Sequence, residues 1–136
     1  MAGSEEPVTS RPLEGLHVLV VEDNDDAREM LAVLLEAHGA TVTAASSSAE
    51  AVEALDRVDP DVLVSDISMP GEDGYELIAR VRKRPPERGG RLPAIAQTAL
   101  ASPEARALAS GFEAHLCRPV VPNDLVTTIA ALTASC

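Results

Sequence analysis

Glu22 and Asp23, Asp66, Thr98 and Arg118 each stand where an apolar run gives way to polar residues. Carboxylates gathered in one crevice repel one another unless a cation neutralises them. An oxygen-rich set of this kind suits a hard octahedral ion, Mg2+ or Mn2+, that keeps several waters. Thr98 adds a neutral hydroxyl, and Arg118 adds a permanent cation with directed donors. Together these groups fit a phosphoryl group: ion and cation hold its equatorial oxygens while an attacking oxygen lines up opposite the leaving group. Asp66 is the candidate nucleophile, because aspartate can carry a phosphoryl group as an acyl phosphate. The plainer alternative is that acidic residues after strands cap helices, which would account for Asp25, Asp26 and one of Glu22 and Asp23. Zinc is not indicated. His17, His38 and His115 are scattered, and His115 with Cys117 makes a lone pair rather than a ligand set.

These residues can meet only if the elements carrying them are parallel strands. The segment DVLVSDISMPGEDG, 61–74, supplies an aliphatic strand from Val62, a carboxylate at its end in Asp66, and a glycine-containing turn before the next helix. Residues 16–21 form a second apolar run, buried on both faces. Behind it Met30, Leu31, Leu34 and Leu35 recur at helical spacing up to Gly39, with Asn24 or Asp25 as the cap. Residues 40–45 read as a strand. Ser46 to Ser48 offer caps for a helix with Ala51, Val52 and Leu55 inward and Glu50 near its first turn. After Gly74 a helix turns Leu77, Ile78 and Val81 inward, and RPPERGGR at 84–91 is a loop.

Residues 92–97 form a fourth strand ending at Thr98. Ser102-Pro103-Glu104 opens a helix that runs to Gly111. His115-Leu116-Cys117 is a short fifth strand, and Pro122-Asn123 opens the last helix, with Val126 and Ile129 inward. Strands alternating with helices predict an α/β fold, a doubly wound five-stranded parallel sheet. The carboxyl ends of such strands share one edge, which is where open α/β sheets place their chemistry. The pattern leaves the strand order open. Residues 1–15 are expected to be a disordered tail or linker remnant, and 16–135 one domain.

The 136-residue chain has 46% hydrophobic residues, enough for a real core. A net charge of -11 disfavours direct nucleic-acid binding and anionic lipid, and one Tyr, one Phe and no Trp argue against base stacking. No apolar run is long enough to insert into a membrane, no secretory signal is visible, and Cys117 and Cys136 lack ligand spacing. The expected location is cytoplasmic, with free thiols. Of the 11 basic residues, Arg80, Arg82, Lys83, Arg84, Arg88 and Arg91 cluster around one loop. They fit either a solvated face with cations at a helix C-terminus or a docking patch.

With VLVVED at 18–23, DVLVSDISMPGEDG at 61–74, Thr98-Ala99 and GFEAHLCRPV at 111–120 in order, the sequence resembles the receiver domain of two-component response regulators. It is most similar to the receivers of hybrid sensor histidine kinases. The resemblance implies a flavodoxin-like receiver fold with strand order 2-1-3-4-5. Asp66 would be the phospho-acceptor, with Asp23 binding Mg2+ directly, Glu22 acting largely through water and the Ser68 carbonyl completing the protein ligands. Thr98 would be the switch hydroxyl and His115 the switch side chain. The expected partner is a sensor histidine kinase or phosphotransfer protein. The resemblance also allows a homodimer through the fourth helix, fifth strand and fifth helix.

Such a domain is not an enzyme in the ordinary sense, although it promotes its own phosphorylation and dephosphorylation. Two departures stand out: Arg118 replaces the family's lysine, and the segment between Thr98 and Gly111 is short. The first motivates the alternative of a non-phosphorylated pseudo-receiver used as an interaction module. A phosphatase of another α/β family would place a second aspartate where this chain has Ser68.

Overall fold

The computed structural model describes residues 12–67, 74–98, 111–117 and 121–133, with Thr98 and Cys117 as backbone only. Its strands are β1 (His17–Val21), β2 (Thr41–Ala45), β3 (Val62–Asp66), β4 (Ala94–Thr98) and β5 (Ala114–Cys117). Its helices are α1 (Asp25–Ala37), α2 (Ser48–Leu55), α3 (Gly74–Arg82) and α4 (Pro122–Thr133). The strands are all parallel and lie in the order β2-β1-β3-β4-β5. The expected order is found. The helix expected between Thr98 and Gly111 lies outside the described residues.

Alternation along each strand builds two cores. Leu19, Val21 and Leu63 face α2 and α3, packing with Ala51, Leu77, Ile78 and Val81. Val18, Val20, Val62, Val64 and Ile95 face the other way, against Leu35 of α1 and Leu125, Val126 and Ile129 of α4. Both faces being covered explains why β1 and β3 are nearly unbroken aliphatic runs. Tyr75 and Phe112 are packing residues of the first core. Leu13, inside the stretch expected to be tail, is fully buried, and its N–H donates to the His38 carbonyl at 2.9 Å. On α1, Met30 is 72% exposed: it shares the apolar spacing of its neighbours but falls on the outer side of the stripe.

The helix starts follow local chemistry. Asn24 caps α1, its Oδ1 accepting from Ala27 N at 2.8 Å. Ser47 caps α2 by accepting from Glu50 N. Glu50 reaches back to accept from Ser46 N at 2.7 Å and from the Ser46 hydroxyl at 2.9 Å, a reciprocal arrangement that satisfies donors with no helical partner. Those same bonds hold the Glu50 carboxyl below its ordinary pKa.

The basic loop divides in function. Arg82, at the end of α3, is mostly buried and is not a solvated charge. Its Nη1 donates to the carbonyls of Leu92 at 2.7 Å and Gly90 at 3.1 Å. Its Nη2 donates to the Gly111 carbonyl at 2.7 Å and to Glu113 Oε1 at 3.0 Å. Glu113 Oε1 in turn accepts from Ala94 N at 2.8 Å. One guanidinium thereby fastens α3 to the amino-terminal rim of β4 and β5. Arg84 and Arg88 both reach Asp56 at the end of α2, chiefly through the Arg84 hydrogen bond that lowers the Asp56 pKa.

Candidate metal and acceptor site

β1 and β3 are neighbours, yet the chain leaves them on opposite sides: β2 lies beyond β1, and β4 lies beyond β3. A crevice opens outside the carboxyl ends of strands at such a reversal. Glu22 and Asp23 follow β1 directly, and Asp66 is the last residue of β3. Each offers one carboxylate oxygen, and the three oxygens lie within 4.8 Å of one another. Glu22 and Asp66 are buried, at 1% and 5% exposure, while Asp23 is nearer solvent.

The loop carrying Glu22 is tied from several sides. Glu22 N donates to the Ala45 carbonyl at 3.0 Å, and Glu22 Oε2 accepts from Asn24 N at 3.1 Å. Arg28, one turn into α1, donates from Nη1 to the Glu22 carbonyl at 2.9 Å and also pairs with Asp25. Sequence reasoning passed over Arg28. The available signal was its position one helical turn after the cap residue Asn24.

Asp66 is fixed through its backbone. Its carbonyl accepts from the Ser65 hydroxyl at 2.9 Å, and the next residue, Ile67, donates to the Gln97 carbonyl at 3.0 Å. Gly74 N donates to the Ile67 carbonyl at 2.9 Å, bringing the start of α3 against this strand end. A Cβ on Gly74 would sit 2.5 Å from the Asp66 carbonyl oxygen and 2.9 Å from Ile67 Cα. Both are backbone atoms, so they can give way only by moving β3. Gly74→Ala is therefore expected to cost about 1–3 kcal/mol in urea unfolding, as overpacking does, and to weaken Mg2+ binding by displacing Asp66.

The donor set fits a hard divalent cation. All three ligands are carboxylate oxygens, and donors on opposite sides of an octahedral Mg2+ lie about 4 Å apart. Three oxygens within 4.8 Å of one another can hold such an ion directly or through bound water. Without a cation, three buried or half-buried carboxylates at this separation oppose one another.

The remaining expected residues divide between described and undescribed positions. Thr98 ends β4, its backbone paired with Cys117 of β5. His115 is half-buried on β5 opposite Ala96. Ser68 and Arg118 lie outside the described residues. No described helix is long and apolar enough to cross a membrane.

A family model described as the response regulator receiver domain matches residues 18–130. The chain is 47% identical over 119 residues to an uncharacterized 14.6 kDa protein of Leptolyngbya boryana, covering 86% of this chain and 89% of that protein. A putative response regulator from Chloroflexus aurantiacus superposes with a TM-score of 0.82 at 32% identity, covering 88% of this chain and 98% of that one. The receiver domain of a sensor histidine kinase from Pseudomonas aeruginosa, solved with a magnesium ion coordinated in its active site cleft, gives a TM-score of 0.80 at 29% identity, covering 89% and 99%. The chain also matches a sensor histidine kinase of Salmonella typhi at 34% identity, but spans only 12% of that protein's length.

Proposed function

This chain belongs to the response regulator receiver domain family of two-component signalling, and we propose that it accepts a phosphoryl group on Asp66 in a Mg2+-dependent step. The observation that carries the reading is the convergence of Glu22, Asp23 and Asp66 at the carboxyl edge of the sheet. One Asp66 oxygen attacks phosphorus in line as the bond from phosphorus to the donor's imidazole nitrogen breaks, and the electron pair leaves with the imidazole. Glu22, Asp23, Asp66 and the Ser68 carbonyl would hold Mg2+, or Mn2+ in its place. When bound, the ion offsets negative charge on the phosphoryl oxygens. The Thr98 hydroxyl and the Arg118 guanidinium would take the remaining oxygens, and His115 would change rotamer as Thr98 moves.

The domain, residues 16–135 with Leu13 packed beneath it, works as a signalling module whose product is its own modified state. A sensor histidine kinase or phosphotransfer protein would supply the phosphoryl group. Output, including any homodimer, would use β5, α4 and the segment before β5. Phosphorylation adds about 1.5 to 2 negative charges to a crevice that already holds three carboxylates, so uptake must depend on a cation. Incubation with acetyl phosphate and Mg2+ is expected to add one phosphoryl group by intact-mass measurement, and EDTA to prevent it. An unmodified wild-type mass under Mg2+ would refute the reading. That result would favour the second one, a pseudo-receiver acting as an interaction module, which draws on arginine rather than lysine at position 118.

A further inference from the structure

The peptide between Glu22 and Asp23 lies just past the ladders that hold β1. Those ladders end at Val21, which pairs with Ala45 of β2 and Ser65 of β3. Beyond that point three ties hold the turn. Glu22 N donates to the Ala45 carbonyl, Glu22 Oε2 accepts from Asn24 N, and the Glu22 carbonyl accepts from Arg28 Nη1 at 2.9 Å. The first fixes the strand end, and the second fixes the Glu22 carboxylate. The third bears on Asp23, because a peptide unit is planar and holding its oxygen holds the plane that carries the next Cα. Arg28 is an unexpected residue at this place. It lies one turn into α1, at the end where the helix dipole disfavours a cation. Its pairing with Asp25 offsets that little, since Asp25 is 86% exposed and exposed ion pairs contribute little. The guanidinium itself is only 23% exposed, and its planar fork is engaged on both arms, Nη1 on the Glu22 carbonyl and Nη2 on Asp25. Arg28 N also donates to the Asn24 carbonyl at 2.9 Å. The first turn of α1 thereby sets the direction of the turn that bears two of the three clustered carboxylates.

We propose that Arg28 is a positioning residue of the cation site, aiming the Asp23 carboxylate by holding the Glu22–Asp23 peptide. The inference rests on the Mg2+ site of the reading above and adds to it a residue outside the ligand set. Groups that orient metal ligands without touching the metal typically lower its affinity roughly 10- to 100-fold when removed. The charge of Arg28 acts in the opposite sense. A cation close to a cation site repels the ion, so removing that charge alone would tighten Mg2+ binding. Loss of aim weakens it. The sign of the change therefore separates positioning from simple electrostatics.

Mg2+ is titrated by calorimetry into wild type, Arg28→Ala and Arg28→Lys, and melting temperature is measured without Mg2+. Arg28→Ala is expected to raise the half-saturating Mg2+ concentration about tenfold. Its metal-free melting temperature should stay within a few degrees of wild type, as for other part-exposed positions. Arg28→Lys keeps the charge but has a single point donor in place of the fork, and should bind Mg2+ about threefold more weakly than wild type. Wild-type or tighter binding by folded Arg28→Ala overturns the inference. If Arg28→Ala does not fold, Arg28→Lys decides: wild-type affinity there overturns the inference, and weaker binding supports it. If wild-type protein binds no Mg2+, the cation-site reading falls and this inference falls with it; wild-type binding with unaffected variants removes the inference alone.

Discussion

Asp66→Ala is expected to gain no mass from acetyl phosphate and Mg2+ while remaining folded. Asp66 is the only one of the three clustered carboxylates carried on the central strand β3, held there by the Ser65 and Gly74 contacts to its backbone and that of Ile67. Those contacts involve main-chain atoms and survive the substitution, so the strand end keeps its place. The apo protein should melt no lower than wild type, because removing one of three mutually repelling carboxylates relieves the other two. Added Mg2+ should stabilise wild type by mass action, and this rise in melting temperature should be largely lost in the variant. Intact-mass measurement and thermal unfolding with and without Mg2+ check the two halves separately. A phosphoryl adduct of wild-type yield on Asp66→Ala would mean that another side chain is the acceptor.

The second large effect lies at the opposite end of the sheet. Arg82→Ala should destabilise the fold by about 3 kcal/mol, since hydrogen bonds from a charged donor contribute roughly 1.5–3 kcal/mol each and their loss leaves buried carbonyls unpaired. The Glu113 ion pair contributes little of this, because that carboxylate is half exposed. The principal loss is at the carbonyls of Leu92 and Gly111, each 2.7 Å from the guanidinium. For a domain of this size the change corresponds to a fall in melting temperature of roughly 10 °C. Arg82→Lys keeps the charge but cannot reach three carbonyls at once, so it should recover less than half of the loss. Urea unfolding gives the number, and a loss below about 1 kcal/mol in Arg82→Ala would count against the clamp. Phosphoryl uptake by the folded fraction should be unchanged, because Arg82 is far from the crevice.

These two residues mark what a reading of the sequence could and could not reach. Asp66 was legible because its signal is local: an apolar run, a carboxylate, then a turn. Its meeting with Glu22 and Asp23 followed from one topological fact, that parallel strands share an edge for their carboxyl ends. Strand order was not legible from periodicity, which gives the alternation of strands and helices but not which strands are neighbours. It came instead from the family resemblance, and the sheet has that order.

Arg82 looked like one cation among several because its acceptors are backbone carbonyls up to 29 residues away, and carbonyls leave no mark in composition. Nothing in the sequence marks Glu113 either, whose carboxylate the fold sets against Ala94 N. Gln97 reads in the sequence only as part of a strand; that its amide nitrogen is buried without a hydrogen-bond partner among the described residues emerges only from the fold. Met30 was read as part of the apolar stripe of α1, and its exposure follows from a small rotation of that stripe. Gly74 was noted as a turn glycine, but the reason for glycine there is how closely α3 approaches Asp66. Arg118 and Ser68 stand where the sequence reading left them.

The two-residue alternation that gives each strand its two cores has a consequence for how this domain can change over generations. Inserting or deleting a single residue within β3 would send Asp66 to the side facing α2 and α3, with every other residue in the chain unchanged. Strand length is therefore inherited under a constraint as strict as that on the acceptor itself. Drift in chain length has to be absorbed elsewhere, as in the exposed stretch Pro85–Arg88, where an extra residue shifts no strand. A lineage of such domains would vary freely in loop length while keeping the spacing from Val62 to Asp66 constant.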